Sequence, residues 1–72
     1  MHLNQLRYFV TAATLRSFTQ AAQCHYITQT AITQQIKALE DSIGFALFDR
    51  TKRPIELTPA GTVFLREAKA VL

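Results

Sequence analysis

The chain has 72 residues, of which 49% are apolar, and its eight lysines and arginines against five acidic residues give a net charge of +3. This length and composition predict one globular domain with a modest core, too small for a self-contained enzyme with a deep cleft. No segment approaches the ~18 apolar residues of a membrane helix, and the N-terminus lacks a signal-peptide layout. A single cysteine, Cys24, excludes an internal disulfide and a cysteine-rich zinc site and favours a cytoplasmic setting.

The first 43 residues contain neither glycine nor proline, so we expect them to be almost entirely helical. A first helix is predicted at about 3–15, with its core stripe formed by Leu3, Leu6, Phe9, Val10 and Ala13. Ser17 followed three residues later by Gln20 predicts a capping box. This box opens a second, short helix at about 18–25.

A third helix is expected to begin after an N-cap at Thr28 and to end near Ile43, where Gly44 suits the C-cap. At ~100° per residue its apolar residues share an arc of ~60°, and these are Ile32, Ile36, Leu39 and Ile43. A separate arc of ~140° carries amides, hydroxyls and one cation, namely Gln29, Thr30, Thr33, Gln34 and Lys37. The first arc is predicted to be core, and the second is predicted to be a hydrated face without carboxylates.

Beyond Gly44 the pattern becomes that of a two-stranded hairpin at about 47–57, in which Ile55 and Leu57 share one face. Its predicted tip is basic because three of the eight cations lie there, Arg50, Lys52 and Arg53. Thr58 and Pro59 then form the cap and first residue of a last helix that is still running at the end of the chain.

The apolar residues of this last helix spread over ~200°, wider than the ~100° that one core requires. They are Ala60, Val63, Phe64, Leu65, Ala68, Val71 and Leu72. We therefore expect one side of the helix to pack on the domain and the other on a second copy. The predicted dimer contacts are Val63, Phe64, Leu65, Ala68, Val71 and Leu72.

Two helices joined by a tight turn and followed by a hairpin form the layout of a winged helix-turn-helix. The small Ala21 and Ala22 would let the second helix cross the third closely. Amides and hydroxyls on the third helix can hydrogen-bond base edges in the major groove, and a basic hairpin tip can reach the minor groove or backbone. The predicted DNA contacts are Thr28, Gln29, Thr30, Thr33, Gln34, Lys37, Arg50, Lys52 and Arg53.

An ordered series of residues from position 3 to the end of the chain resembles the N-terminal DNA-binding domain of LysR-type transcriptional regulators. The matching residues are Phe9, Ser17-Phe18, Ala21-Ala22, Gln29, Ala31, Ile36, Leu39-Glu40, Gly44, Leu47-Phe48, Arg50, Arg53 and Leu57-Thr58-Pro59-Ala60-Gly61. The resemblance implies a mainly α fold, with a winged helix-turn-helix domain at 1–58 (helix-turn-helix at about 18–37) and a dimerising linker helix from 59 to 72. It also implies a homodimer on a pseudo-palindromic operator, and a missing C-terminal effector domain to which any small-molecule effector would bind.

Some residues depart from the family pattern or allow another role. His25 stands where leucine is usual, so we expect its ring to pack under the turn. Gln34 stands where arginine is frequent. Arg50 could instead be a structural residue paired with Asp49 or Glu56, whereas Glu40 is expected to stabilise the fold or to be solvated. Cys24 beside His25 lacks a third group for metal binding or nucleophilic catalysis, so no metal, catalytic or cofactor site is predicted.

A second function class remains open from the sequence. A winged helix can also serve as a protein-interaction module, in which case the basic hairpin tip would be incidental. An enzyme has no support, because the sequence contains no catalytic triad, phosphate-binding loop or metal-ligand spacing. A salt titration of binding to duplex DNA separates the first two classes, because DNA binders lose affinity steeply as salt rises.

Overall fold

The computed structural model describes all residues from Met1 to Leu72 and contains four helices and one small sheet. The helices are α1 (Leu3–Leu15), α2 (Phe18–Cys24), α3 (Gln29–Ile43) and α4 (Pro59–Val71), and the strands are β1 (Phe48–Asp49) and β2 (Glu56–Leu57). The predicted winged helix-turn-helix followed by a further helix is thereby confirmed. None of the helices is both long and apolar enough to span a membrane.

Local side-chain signals fix where the helices begin and end. Gly44 ends α3 in the left-handed conformation, with φ at 89°, which glycine adopts without a Cβ penalty. Of the predicted capping box, the structure contains the serine half. Three hydroxyls accept a hydrogen bond from a backbone N–H of the following turn: Ser17 Oγ from Gln20 at 3.0 Å, Thr28 Oγ1 from Ala31 at 3.0 Å and Thr58 Oγ1 from Gly61 at 2.9 Å.

The core lies where α1, α3 and the sheet meet. The largest fully buried side chains are Phe9, Ile32, Ile36, Leu39 and Leu47. The Phe9 ring centroid lies 5.4 Å from that of Phe48 and 5.5 Å from that of Phe64, so one aromatic side chain joins α1 to the sheet and to α4. Such tilted and edge-on contacts stabilise beyond the area they bury.

The predicted core stripe of α1 is partly wrong. Leu3 is 48% exposed, because it lies in the first helical turn at the edge of the domain, whereas Ala12 is fully buried. The amide of Gln5 is also buried. Its Nε2 donates to Gln35 Oε1 at 3.1 Å, and its Oε1 accepts from the His2 N–H at 3.2 Å. Both ends of a buried amide are therefore paired, as a low-dielectric environment requires.

The hairpin, which we call the wing, has shorter strands than the sequence predicts. Phe48 pairs with Leu57 and Asp49 with Glu56 in an antiparallel register, and the intervening residues 50–55 form a loop. Asp49 Oδ1 accepts from both the N–H and the hydroxyl of Thr51, which closes the first part of that loop. Side-chain-to-backbone bonds of this kind replace ladder hydrogen bonds.

Thr58 joins the end of the wing to the beginning of α4. Besides capping α4, its N–H donates to Leu47 O at 3.0 Å and its hydroxyl donates to Ala46 O at 2.7 Å. The backbone N–H and the hydroxyl of Thr58 are thus both hydrogen-bonded to the segment that precedes the wing. This residue fixes the first turn of α4 against the strand that leads into the wing.

Candidate nucleic-acid interface

The polar arc of the third helix lies on the surface as predicted. Thr28, Gln29, Thr30, Gln34 and Lys37 are exposed and Thr33 is half-buried. We call these six residues the polar face of α3. The opposite side of the same helix carries Ile32, Ile36 and Leu39, which are fully buried. The N-terminal half of α3 therefore offers amides and hydroxyls outward from a rigidly packed helix.

Gln29, the first residue of α3, is held by a residue that the sequence analysis did not single out. Thr19 Oγ1 donates a hydrogen bond to Gln29 Oε1 at 2.9 Å. The two residues are ten apart in the chain and belong to different helices. Only the crossing of α2 over α3 brings them together, so no local sequence signal could have indicated the contact.

Lys37, the one cation of the polar face of α3, has an acidic partner at the far end of the helix. Its Nζ lies 3.3 Å from Asp41 Oδ1, one helical turn further on, and both side chains are 67% exposed. An exposed pair of this spacing contributes only about 0.3–0.5 kcal/mol. The pair therefore leaves Lys37 able to exchange its partner for a phosphate.

Arg50 lies at the base of the wing, and its partner is Glu40. The Arg50 guanidinium donates through Nη2 to Glu40 Oε1 at 3.0 Å and through Nη1 to Glu40 Oε2 at 3.2 Å. The predicted alternatives, Asp49 and Glu56, are therefore wrong as partners of Arg50. The guanidinium carbon also lies 5.4 Å from the centroid of the Phe18 ring, within cation–π range.

Glu40 has a structural role, because its side chain is only 6% exposed although it carries a charge. Beyond Arg50, its Oε2 accepts from the backbone N–H of Leu47 at 2.7 Å and of Phe48 at 3.4 Å. A buried carboxylate requires such donors to offset its desolvation. The expectation that Glu40 stabilises the fold is consistent with this network.

The wing tip carries the two remaining predicted cations, and both are exposed. Arg53 is folded back, because its Nη1 donates to Arg50 O at 2.6 Å and to Lys52 O at 3.0 Å. An open groove of about 380 Å³ separates the wing from the first turn of α3. Gln29 and Thr33 line one wall of this groove, and Arg53 and Pro54 line the other.

Arg16 also connects to the wing, a role that sequence reasoning missed. It ends α1 in the left-handed conformation with φ at 53°. Its Nε donates to Ile55 O at 3.2 Å, and its Nη2 lies 3.8 Å from Glu56 Oε1. The returning side of the wing is thereby attached to the end of α1, whereas its outgoing side is attached to α3 through Glu40.

His25 packs against an aromatic ring, and it also has a polar partner that the sequence does not indicate. Its Nε2 lies 2.9 Å from Thr11 Oγ1, and its ring meets Tyr8 edge-on at 4.9 Å. The Thr11 hydroxyl already donates to Arg7 O at 2.9 Å, so the geometry assigns the proton to His25 Nε2. Cys24, the neighbour of His25, is exposed.

The structure divides the predicted dimer contacts on α4 into two groups. Val63, Val71 and Leu72 are exposed, whereas Phe64 and Leu65 are half-buried against the core. Ala68 is only 3% exposed, because it packs inside its own domain, so its assignment to a partner surface is wrong. The exposed apolar side of α4 is therefore narrower than the sequence predicts.

Comparison with known proteins places this arrangement in a family. The family model described as "Bacterial regulatory helix-turn-helix protein, lysR family" matches residues 3–62. The HTH-type transcriptional regulator TfdT of Cupriavidus pinatubonensis is 50% identical over 72 residues, which are 100% of this chain and 32% of TfdT. The chain thus spans about a third of that relative's length.

Solved structures agree with the sequence comparison. The crystal structure of Vibrio fischeri DarR in complex with DNA matches with a TM-score of 0.96 and 38% identity, covering 99% of this chain and 24% of DarR. The DNA-binding domain of BenM in complex with its catB site 1 DNA matches with a TM-score of 0.96 and 39% identity, covering 99% of this chain and 76% of that one.

The fold and its exposed polar helix define a winged helix-turn-helix domain. The chain belongs to the LysR family of bacterial regulatory helix-turn-helix proteins. It matches part of several proteins named HTH-type transcriptional regulators, and the BenM domain that it resembles was solved in complex with DNA.

Proposed function

We propose that this domain binds a specific double-stranded operator by inserting the N-terminal half of α3 into the major groove. The observation that carries the proposal is the polar face of α3, where amides and hydroxyls from Thr28 to Gln34 face outward over about two turns, with no carboxylate before Glu40. Amides and hydroxyls donate to and accept from base edges, and the free N–H groups of a helix N-terminus favour a nearby phosphate.

We assign base contacts to Gln29 and Thr33, which lie one turn apart at the start of α3. A glutamine amide can pair with both N6 and N7 of adenine, and a threonine offers a hydroxyl and a methyl group. Thr28, Thr30, Gln34 and Lys37 flank these two residues. We assign them to the edges of the groove and to phosphates, which position a protein without specifying sequence.

The wing supplies the second contact. We assign Lys52 to the phosphate backbone and Arg53 to the minor groove or its edge, because a guanidinium suits a narrow A·T-rich groove. Arg53 must exchange its two carbonyl partners for DNA to do so. We assign Arg50 to the phosphate backbone of DNA through its remaining N–H groups, while its pair with Glu40 is kept.

We further propose that the protein acts as a homodimer through the exposed side of α4, with higher oligomers open to the full-length regulator. The dimer would bind a pseudo-palindromic site whose half-sites lie one DNA turn (~34 Å), or a multiple of it, apart. Any effector would bind outside this chain, and the site of action would be the bacterial nucleoid in the cytoplasm. A strict monomer that covers one half-site at high concentration in sedimentation would contradict the dimer for this chain.

The test begins with selection of bound duplexes from a random pool. On the selected site, Gln29→Ala is expected to cost ~1–3 kcal/mol of binding free energy, and much less on random duplex. Gln23→Ala is the matched control, because Gln23 is an exposed glutamine on α2 outside the polar face of α3. Equal losses on both duplexes would exclude base contact by Gln29.

The wing assignment has its own measurement. Lys52→Ala is expected to weaken binding to all duplexes alike and to reduce the slope of log K against log salt by about 1 per subunit. Arg53→Ala should also weaken the preference for A·T-rich flanks. If neither variant changes the salt slope, the wing does not contact DNA. A wild-type domain with no salt dependence at all would favour the protein-interaction module.

A further inference from the structure

We infer that Thr19 is a positioning residue that sets the base preference of Gln29, an inference that rests on the proposed role of Gln29 in contacting bases. Thr19 is the second residue of α2 and Gln29 is the first residue of α3. Both are exposed, and their side chains meet at the groove between the wing and α3. Thr19 is absent from the set of DNA-contact residues that the sequence indicates.

The hydrogen bond between them holds the amide of Gln29 beside the first turn of α2. Thr19 Oγ1 has a single proton, and it donates this proton to Gln29 Oε1 at 2.9 Å. A hydroxyl can donate to the oxygen of a carboxamide or accept from its NH₂ group, so the contact holds the amide in place in either orientation. In this structure the oxygen of Gln29 is turned toward α2, and its NH₂ group points away from it.

An oriented amide presents a defined pattern to a base edge. Its NH₂ group can donate to N7 of a purine, while the second lone pair of Oε1 stays free to accept from the N6 amino group of adenine. A glutamine without this partner can place its amide at several positions in the groove, because its side chain has several rotatable bonds. Without Thr19 the amide would therefore meet more than one base edge, and the preference for one base would weaken.

A purely structural role for Thr19 makes a different prediction. If the hydrogen bond only attached α2 to α3, its loss would lower stability and weaken binding to every duplex by the same factor. A positioning role changes the ratio of affinities between bases at one position. Because Thr19 is exposed and no buried group depends on it, the ratio can be measured on a folded domain.

The experiment uses the 72-residue chain and four duplexes that differ only in the base pair at which Gln29→Ala loses discrimination. Thr19→Val removes the hydroxyl and keeps the shape, whereas Thr19→Ser keeps the hydroxyl. We expect Thr19→Val to reduce the preference for the selected base about threefold to tenfold, the range of one net hydrogen bond. We expect Thr19→Ser to restore most of it, with an unchanged salt slope.

Thr14→Val is the matched control, because the Thr14 hydroxyl donates to Val10 O on the exposed side of α1. The inference is overturned if Thr19→Val keeps the full preference, or if it weakens all four duplexes equally. If Gln29→Ala itself leaves the preference unchanged at every position, the proposed base contact fails first, and the role of Thr19 fails with it. The two variants thus report the two failures separately.

Discussion

Glu40 and Arg50 form a two-point ion pair that joins the helix with the polar face to the base of the wing. Each guanidinium nitrogen involved faces its own carboxylate oxygen, at 3.0 and 3.2 Å. The same carboxylate accepts the backbone N–H of Leu47, immediately before β1. The position of the wing relative to α3 is therefore set by one buried acidic side chain.

Removal of Arg50 should cost stability. Arg50→Ala is expected to lower the free energy of unfolding by about 1–3 kcal/mol, because the buried carboxylate of Glu40 loses its charged partner. Arg50→Lys should give an intermediate loss, since an ammonium cannot make the two-point contact. Urea unfolding measures both, with Lys52→Ala as the control for losing an exposed wing cation. An unchanged midpoint in Arg50→Ala would mean that the pair contributes nothing net.

His25→Leu is expected to destabilise the domain by about 0.5–1.5 kcal/mol, whereas the sequence alone predicts a neutral or stabilising change. The difference arises from the hydrogen bond between His25 Nε2 and Thr11 Oγ1, which leucine cannot make. Thermal unfolding of His25→Leu, Thr11→Val and the double variant would give the coupling between the two residues. Additive losses would indicate that the bond is not formed in solution.

Gly61→Ala should be strongly destabilising although Gly61 lies in a helix, where alanine is normally favoured. A Cβ at this position would overlap the carbonyl oxygen of Leu47, and that backbone is fixed by the Glu40 network. Overpacking of this kind costs about 1–3 kcal/mol. Glu67→Ala on the exposed side of α4 is the control for an alanine substitution in the same helix. A raised melting temperature in Gly61→Ala would contradict the close approach.

The wing loop should loosen in acid. Hydrogen bonds from the side chain and the backbone of Thr51 lower the pKa of Asp49 from its usual 3.8. A lowered pKa in the folded state means that the stabilisation is complete above the unfolded pKa and is lost as the pH falls through the folded value. The difference in unfolding midpoint between wild type and Thr51→Val should therefore be present at pH 6 and should shrink as the pH falls below 3.8, through the lowered pKa of Asp49. A constant difference across that range would contradict the role of the carboxylate.

The helix ends could be predicted because their signals are local. Ser17, Thr28 and Thr58 are caps within three residues of the N–H groups they bind, and Gly44 supplies the left-handed turn in place. Such signals depend only on neighbouring residues. They can therefore be recognised in the sequence without knowing how the helices pack.

The side-chain pairs across the fold could not be predicted in the same way. The partners of Arg50, Gln29 and His25 are ten or more residues away and lie on other elements. Sequence spacing limits which residues could meet but not how two helices cross. The burial of Ala68 was missed for a related reason, since helical periodicity gives the width of an apolar face but not which part of it the domain itself covers.

Thr58 attaches the start of α4 rigidly to the rest of the domain. Two of its hydrogen bonds attach the start of that helix to residues 46 and 47, which lead directly into the wing, and a third caps the first turn of the helix. In the proposed homodimer, any rotation of one α4 against the other would carry the whole DNA-contacting unit with it. The spacing between the two half-sites would then depend on the angle at which the paired helices cross, so a change made far from DNA could alter which operators both subunits reach together.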